Sequence, residues 1–117
     1  MVIIHFYETL ALIRAGAPES VATDLKAVRI GPASFVGMGA EVFSRMADEL
    51  RAARGAHTYV VGLANGDLGY LPFREACAEG GYEVDDAFKY YAAFPLKPGG
   101  YERLRDRAVA LLGGLAE

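Results

Sequence analysis

Two stretches of this sequence concentrate residue types that hold cations and move protons. In IGPASFVGMGAEVF, residues 30–43, a strand pattern runs through Gly31, Gly37 and Gly39 to Glu41, read as the first residue of a helix. A carboxylate there meets the helix dipole favourably. Glycine-bearing strand-to-helix turns also present side chains at the open end of an α/β sheet, where ligands bind. In ANGDLGYLPFREACAEGGYEV, residues 64–84, Asn65, Asp67, Tyr70, Arg74, Glu75, Tyr82 and Glu83 follow directly on a second strand pattern. A tyrosine with a pKa of about 10 is a poor base but a good hydrogen-bond donor, and a bound cation makes it a ligand. The plain alternative is that the carboxylate caps a helix and the tyrosines plug the core.

Other common chemistries find no support in the spacing. There is no G-x-S-x-G elbow, no phosphate-binding G-x-x-x-x-G-K-[ST] loop and no H-E-x-x-H, and the glycines do not make a G-x-G-x-x-G. His5 and His57 are 52 positions apart on different elements, so they read as an interface or core residue and a half-exposed strand residue. Cys77 is the only cysteine, which excludes an intrachain disulfide and a cysteine zinc cluster and makes it a small buried hydrophobe.

The elements that must position these residues follow from periodicity. Ile3, Phe6, Tyr7, Leu10 and Ile13 form one helical stripe, widened by Val2, Ile4 and Leu12 and ended by AGAPES. Leu25–Ile30 and Ala33–Met38 read as a hairpin turning at Gly31-Pro32. In the first of these strands Leu25, Ala27 or Val28, and Ile30 oppose Lys26 and Arg29. Glu41–Arg54 reads as the clearest helix, with Val42, Met46, Leu50 and Ala53 on one face and Glu41/Arg45 as an ion pair. His57–Leu63 reads as an interior strand, Pro72–Glu79 as a short helix and Tyr82–Val84 as extended chain, while Asp85–Ala93 fits no single element. Tyr101–Leu112 is the last helix, with Tyr101, Leu104, Ala108 and Leu111 in register. The expected fold is α/β: a small mixed sheet of three to four strands flanked by helices, in the order α-β-β-α-β-α-α.

At 117 residues, 53% hydrophobic and 23% charged, the chain suits one globular domain spanning 1–117. A net charge of −3 gives no basic face for nucleic acid. The apolar N-terminus carries His5 and Glu8, lacks a basic leader, and is shorter than the ~20 residues that span a bilayer. Neither a signal peptide nor a membrane helix is expected, and a cytoplasmic location is the default. So greasy a first helix calls for cover from a homo-oligomer or a partner chain, and the apolar surface around Tyr70 and Tyr82 could take a lipid or other apolar ligand.

Taken in order, the strand from Ala27, IGPASFVGMGAEVF, VVGLANGDLGYLP and EGGYEV resemble the neutral/alkaline, non-lysosomal ceramidase family. Tyr70 and Tyr82 lie 12 positions apart, as that family's paired tyrosines do. The resemblance covers the C-terminal part of the catalytic domain. It implies a zinc-dependent amidase that splits N-acyl-sphingosine, its zinc held by two histidines, a glutamate and a tyrosine, and its members are often secreted. It places the glutamate ligand on Glu41, where Gly39-Ala40-Glu41 stands for a Pro-Gly-Glu turn, and the tyrosine ligand on Tyr70. Tyr82 becomes the second, catalytic tyrosine facing the site. The family's H-x-H-type histidine motif lies upstream and has no counterpart in these residues. Cys77 stands where an aromatic is common, and Pro72-Phe73 replaces a threonine pair. The resemblance therefore implies a fragment that is inactive alone and holds zinc poorly until its site is completed; the alternative is a non-catalytic domain that oligomerises or docks a partner.

Overall fold

The computed structural model of the chain describes residues 10–11, 13–16, 20–91 and 94–115. Strand β1 (Leu25–Ile30) and strand β2 (Ala33–Met38) form the expected hairpin, in register from Leu25↔Met38 to Ile30↔Ala33. Gly31 takes φ +58° at the first position of the two-residue loop, the place glycine holds in a type II′ turn, and Pro32 follows with no amide to lose. Central β2 pairs on its other edge, in parallel, with β4 (Thr58–Val61). Parallel neighbours need a crossover, and helix α1 (Arg45–Arg54) supplies it. Two residues each of β3 (Glu41–Val42) and β5 (Tyr70–Leu71) form a second, parallel ladder. Helix α2 (Arg74–Glu79), a π-helical turn (Tyr82–Asp86), a 3₁₀ turn (Ala87–Tyr91) and helix α3 (Gly100–Gly113) complete the described elements. The fold is a small mixed α/β layer, as expected.

The core lies between one face of the three-stranded sheet and helices α1 and α3. Val36, Met38, Met46, Leu50, Tyr101 and Ala108 are fully buried there, with Leu25 and Ala27 of β1 packed against them. Across this seam Glu49 accepts hydrogen bonds from Arg45 Nε at 2.7 Å and from the Tyr101 hydroxyl at 3.1 Å, with Arg105 at 3.5 Å. Burial alone would raise the Glu49 carboxyl. The hydrogen bonds from Arg45 and Tyr101 and the charges of Arg45 and Arg105 outweigh it and hold the group below its ordinary value.

Several expectations need correction. Helix α1 starts at Arg45 with Ser44 before it, because Glu41 and Val42 are drawn into the ladder with β5. Glu41 is thus a strand residue and does not meet a helix dipole, and Arg45 pairs with Glu49 and Glu75 instead. β4 is an edge strand, with Tyr59 and Val61 exposed. Val28 and Ile30 also face outward, so the alternation of β1 resolves as Leu25 and Ala27 inside. Tyr82–Val84 is helical, not extended. Ala53 and Leu111 are exposed, and Leu112 takes the core position expected of Leu111. Of the N-terminal stripe, residues 10–11 and 13–15 are helical, with Leu10 half-buried and Ile13 exposed. Ile3, Phe6, Tyr7 and His5 lie outside the described residues. No helix among the described residues is long and apolar enough to cross a membrane.

Leu50→Ala removes a fully buried side chain from the centre of this seam and should cost ~2–5 kcal/mol in a urea unfolding curve. Because the folded Glu49 carboxyl sits below its ordinary 4.5, its contribution is fully present above that pH and is lost as pH falls through the lower folded value. Glu49→Gln should therefore flatten the acid limb of stability against pH below about 4.5, measured as Tm across a pH series.

Candidate active site

The polypeptide from Met38 to Val42 threads between two returning segments. Ala64 N–H donates to Met38 O at 2.9 Å and Leu63 N–H to Ala40 O at 3.1 Å on one side. On the other, Leu68 N–H donates to Gly39 O and Glu41 N–H to Gly69 O, both at 2.9 Å. That lacing turns Glu41 and Tyr70 into paired residues of neighbouring parallel strands. Paired residues in a parallel ladder project to the same face, with backbones ~4.8 Å apart. The carboxylate and the phenol predicted to share an ion are thus side by side.

Each phenol around Glu41 has a distinct setting. Hydrogen bonding with the Glu41 carboxylate, then its charge, then burial raise Tyr70 above its ordinary value. Tyr91, the last residue of the 3₁₀ turn, donates its hydroxyl to Glu41 Oε1, and that bond together with burial and the charges of Glu41 and Asp67 raises it further. The Tyr82 ring stands edge-on to Tyr70, with centroids 6.2 Å apart and planes at 75°, and about half its surface is open to solvent. The Tyr90 ring lies 6.5 Å from that of Tyr82, centroid to centroid. The three rings of Tyr70, Phe43 and Phe73 then lead, at 6.5 Å and 5.4 Å, to core Tyr101 a further 5.8 Å on. Edge-to-face ring pairs add ~0.5–1.5 kcal/mol each beyond their burial, so the site is braced by the core rather than carried on a loose loop.

Local sequence explains how Tyr82 arrives there. Gly80 and Gly81 adopt φ +74° and +109°, and Asp85 Oδ2 accepts the Gly81 amide at 2.8 Å, closing the chain into the π-helical turn. Pro72, Tyr70, Glu83 and Leu96 help line a small pocket beside the site with room for about 20 Å³, about one water.

The other sequence candidates divide. Asp67 accepts the Gly69 amide at 2.8 Å and adds its charge beside Tyr91, so it shapes the turn into β5. Asn65, at φ +66°, borders a groove with Thr23 and Asp24. Arg74 donates its amide to Glu102 at 2.9 Å and Glu75 pairs with Arg45 at 3.3 Å, which are roles in helix docking. Glu83 is exposed and acts on Tyr70 through charge alone. Cys77 is half-buried, and burial raises its thiol, as suits an unreactive packing residue. His57 is exposed, immediately before β4. Sequence reasoning missed Tyr91; its only signals were the Tyr90-Tyr91 pair in an ambiguous stretch and Gly69, against which its ring lies.

Among the described residues no group of three or more histidines, cysteines, aspartates and glutamates is arranged to hold a metal. Glu41 and Tyr70 offer two oxygen donors side by side, short of a closed metal set among the described residues.

A titration of tyrosine absorbance near 295 nm should show Glu41→Gln lowering the ionisation of the two phenols it holds up, Tyr70 and Tyr91, while Tyr101, raised by burial and by Glu49, stays where it is. Comparison of the chain with protein-family models, with curated proteins and with solved structures finds no match.

Proposed function

We propose that the chain is the C-terminal part of a ceramidase-type zinc amidohydrolase site. The reading rests on the sequence resemblance and on one observation above all: Glu41 and Tyr70, far apart in sequence, are register partners on adjacent parallel strands. Glu41 and Tyr70 supply two oxygen ligands, and the two histidines come from polypeptide outside the described residues or from another chain. Zinc in such a set lowers the pKa of a bound water and polarises an amide carbonyl. Tyr82, half exposed and edge-on to Tyr70, would offer its hydroxyl as a donor to the developing oxyanion of the N-acyl bond. The lipid-like substrate would lie along the more exposed ring of Tyr82.

The test begins with the DNA flanking the coding sequence, where an H-x-H-type motif should be encoded. Assembled with that segment, the protein should bind about one zinc per complex and hydrolyse an N-acyl-sphingosine. Tyr70→Phe should abolish turnover and leave the melting temperature nearly unchanged. Full turnover by Tyr70→Phe contradicts the ligand assignment.

A second reading draws on a different surface. The outer face of the three-stranded sheet exposes Val28, Ile30, Tyr59 and Val61, with Phe35 stacked on Tyr59 at 5.2 Å. Contiguous apolar surface of this kind marks association sites, and it favours a non-catalytic domain that pairs with a second copy of itself through this face, as the apolar first helix also suggested. Size exclusion with light scattering should then give a dimer that Val61→Lys dissociates; a monomer at high concentration rejects this reading.

A further inference from the structure

We propose that β4 pairs edge to edge with β4 of a second copy of this chain, antiparallel about a two-fold axis at Val60; the inference deepens the second reading above and takes its partner from it. β4 ends the three-stranded sheet, so one of its edges has no strand beside it among the described residues. On the other edge Ser34 N–H donates to His57 O at 2.9 Å. Alternate residues of a strand in a parallel ladder bond to the same neighbour, so Tyr59 and Val61 follow His57 in bonding to β2. Thr58 and Val60 therefore turn their backbone groups to the open edge. The Thr58 amide is satisfied by Gly55 O at 3.2 Å. Val60 is left presenting a donor and an acceptor together. Two copies related by a two-fold axis satisfy both at once, each Val60 N–H donating to the other Val60 carbonyl, as in the hydrogen-bonded pairs of an antiparallel ladder.

The side chains agree with that register. With Val60 opposite its own copy, Tyr59 lies opposite the partner's Val61. Both residue types are exposed on the outer face, where Phe35 stacks on Tyr59 at 5.2 Å. An aromatic ring opposite a β-branched residue is a favourable cross-strand pair, and the axis makes the contact twice. The contrast with β1, the other edge of the sheet, picks out β4. Lys26 and Arg29 stand on β1, and cations along an edge strand oppose pairing with a copy. β4 reads Thr58-Tyr59-Val60-Val61, with no charge and no proline, so nothing in it repels its own image. A strand whose free backbone groups and exposed side chains match themselves identifies the occupant as a second copy rather than an unrelated peptide.

The experiment uses the whole chain. Size exclusion with light scattering should give a dimer at high concentration. Residue-resolved hydrogen exchange should show the Val60 amide slowed about 10-fold or more in the concentrated sample relative to a dilute one. The amides of Tyr59 and Val61, bonded to β2, should change far less. Register is read by cross-linking in a Cys77→Ala background, which leaves no native thiol. A mixture of Tyr59→Cys and Val61→Cys chains should oxidise to a disulfide-linked dimer, because the two positions face each other within disulfide reach. Either variant alone should not, its cysteines lying two places out of register. A monomer at every concentration overturns this inference and the second reading together. A dimer whose Val60 amide exchanges alike at all concentrations, and whose mixture cross-links no better than the single variants, keeps the second reading and overturns the β4 pairing.

Discussion

The arrangement depends on a ladder of two residues against two. Glu41–Val42 could have begun a helix, yet the amide of Glu41 is given to Gly69 and its neighbours are laced to Leu63, Ala64 and Leu68. A buried backbone amide must find an acceptor, and here the available acceptors lie on the chain that returns from β4. Choosing them aligns Glu41 with Tyr70 and starts α1 at Arg45. A carboxylate and a phenol forced to adjacent positions hydrogen-bond to one another, which raises the Tyr70 hydroxyl above its ordinary value. A divalent ion between them would reverse that preference by favouring the deprotonated phenol.

The core provides the rigidity such a pair requires. Tyr101 is fully buried and tied to Glu49, Phe73 meets it edge-on while Arg45 lies 4.5 Å above the Phe73 ring, and Phe43 passes the contact on to Tyr70. Helix α3 thereby reaches the site through this run of rings. Displacing Tyr101 would be felt at Tyr70 although the two share no hydrogen bond, because close-packed rings transmit shifts rather than absorb them.

Much of this was legible in the residues. The hairpin limits at Leu25, Ile30, Ala33 and Met38 agree with the pattern because local alternation and the Gly31-Pro32 turn decide them. Glu41, Tyr70 and Tyr82 were singled out and do come together. What local periodicity could not see was pairing at long range. Val42 continues a helical face on paper, and only the partner strand 29 positions later claims its backbone. The extended reading of Tyr82–Val84 failed for a related reason, since the Asp85 side chain folds back onto the Gly81 amide. Tyr91 stayed hidden because its partner lies 50 positions away and the glycine that admits it looks like an ordinary turn residue.

The central claim is that Glu41 and Tyr70 grip one ion. Anomalous diffraction at the zinc edge, from crystals of the chain soaked in zinc chloride, tests it most directly. The account predicts a peak within bonding distance, about 2.0–2.2 Å, of both the Glu41 carboxylate and the Tyr70 hydroxyl. Zinc found only elsewhere, as on exposed His57, with the Glu41–Tyr70 pair left bare, would contradict it.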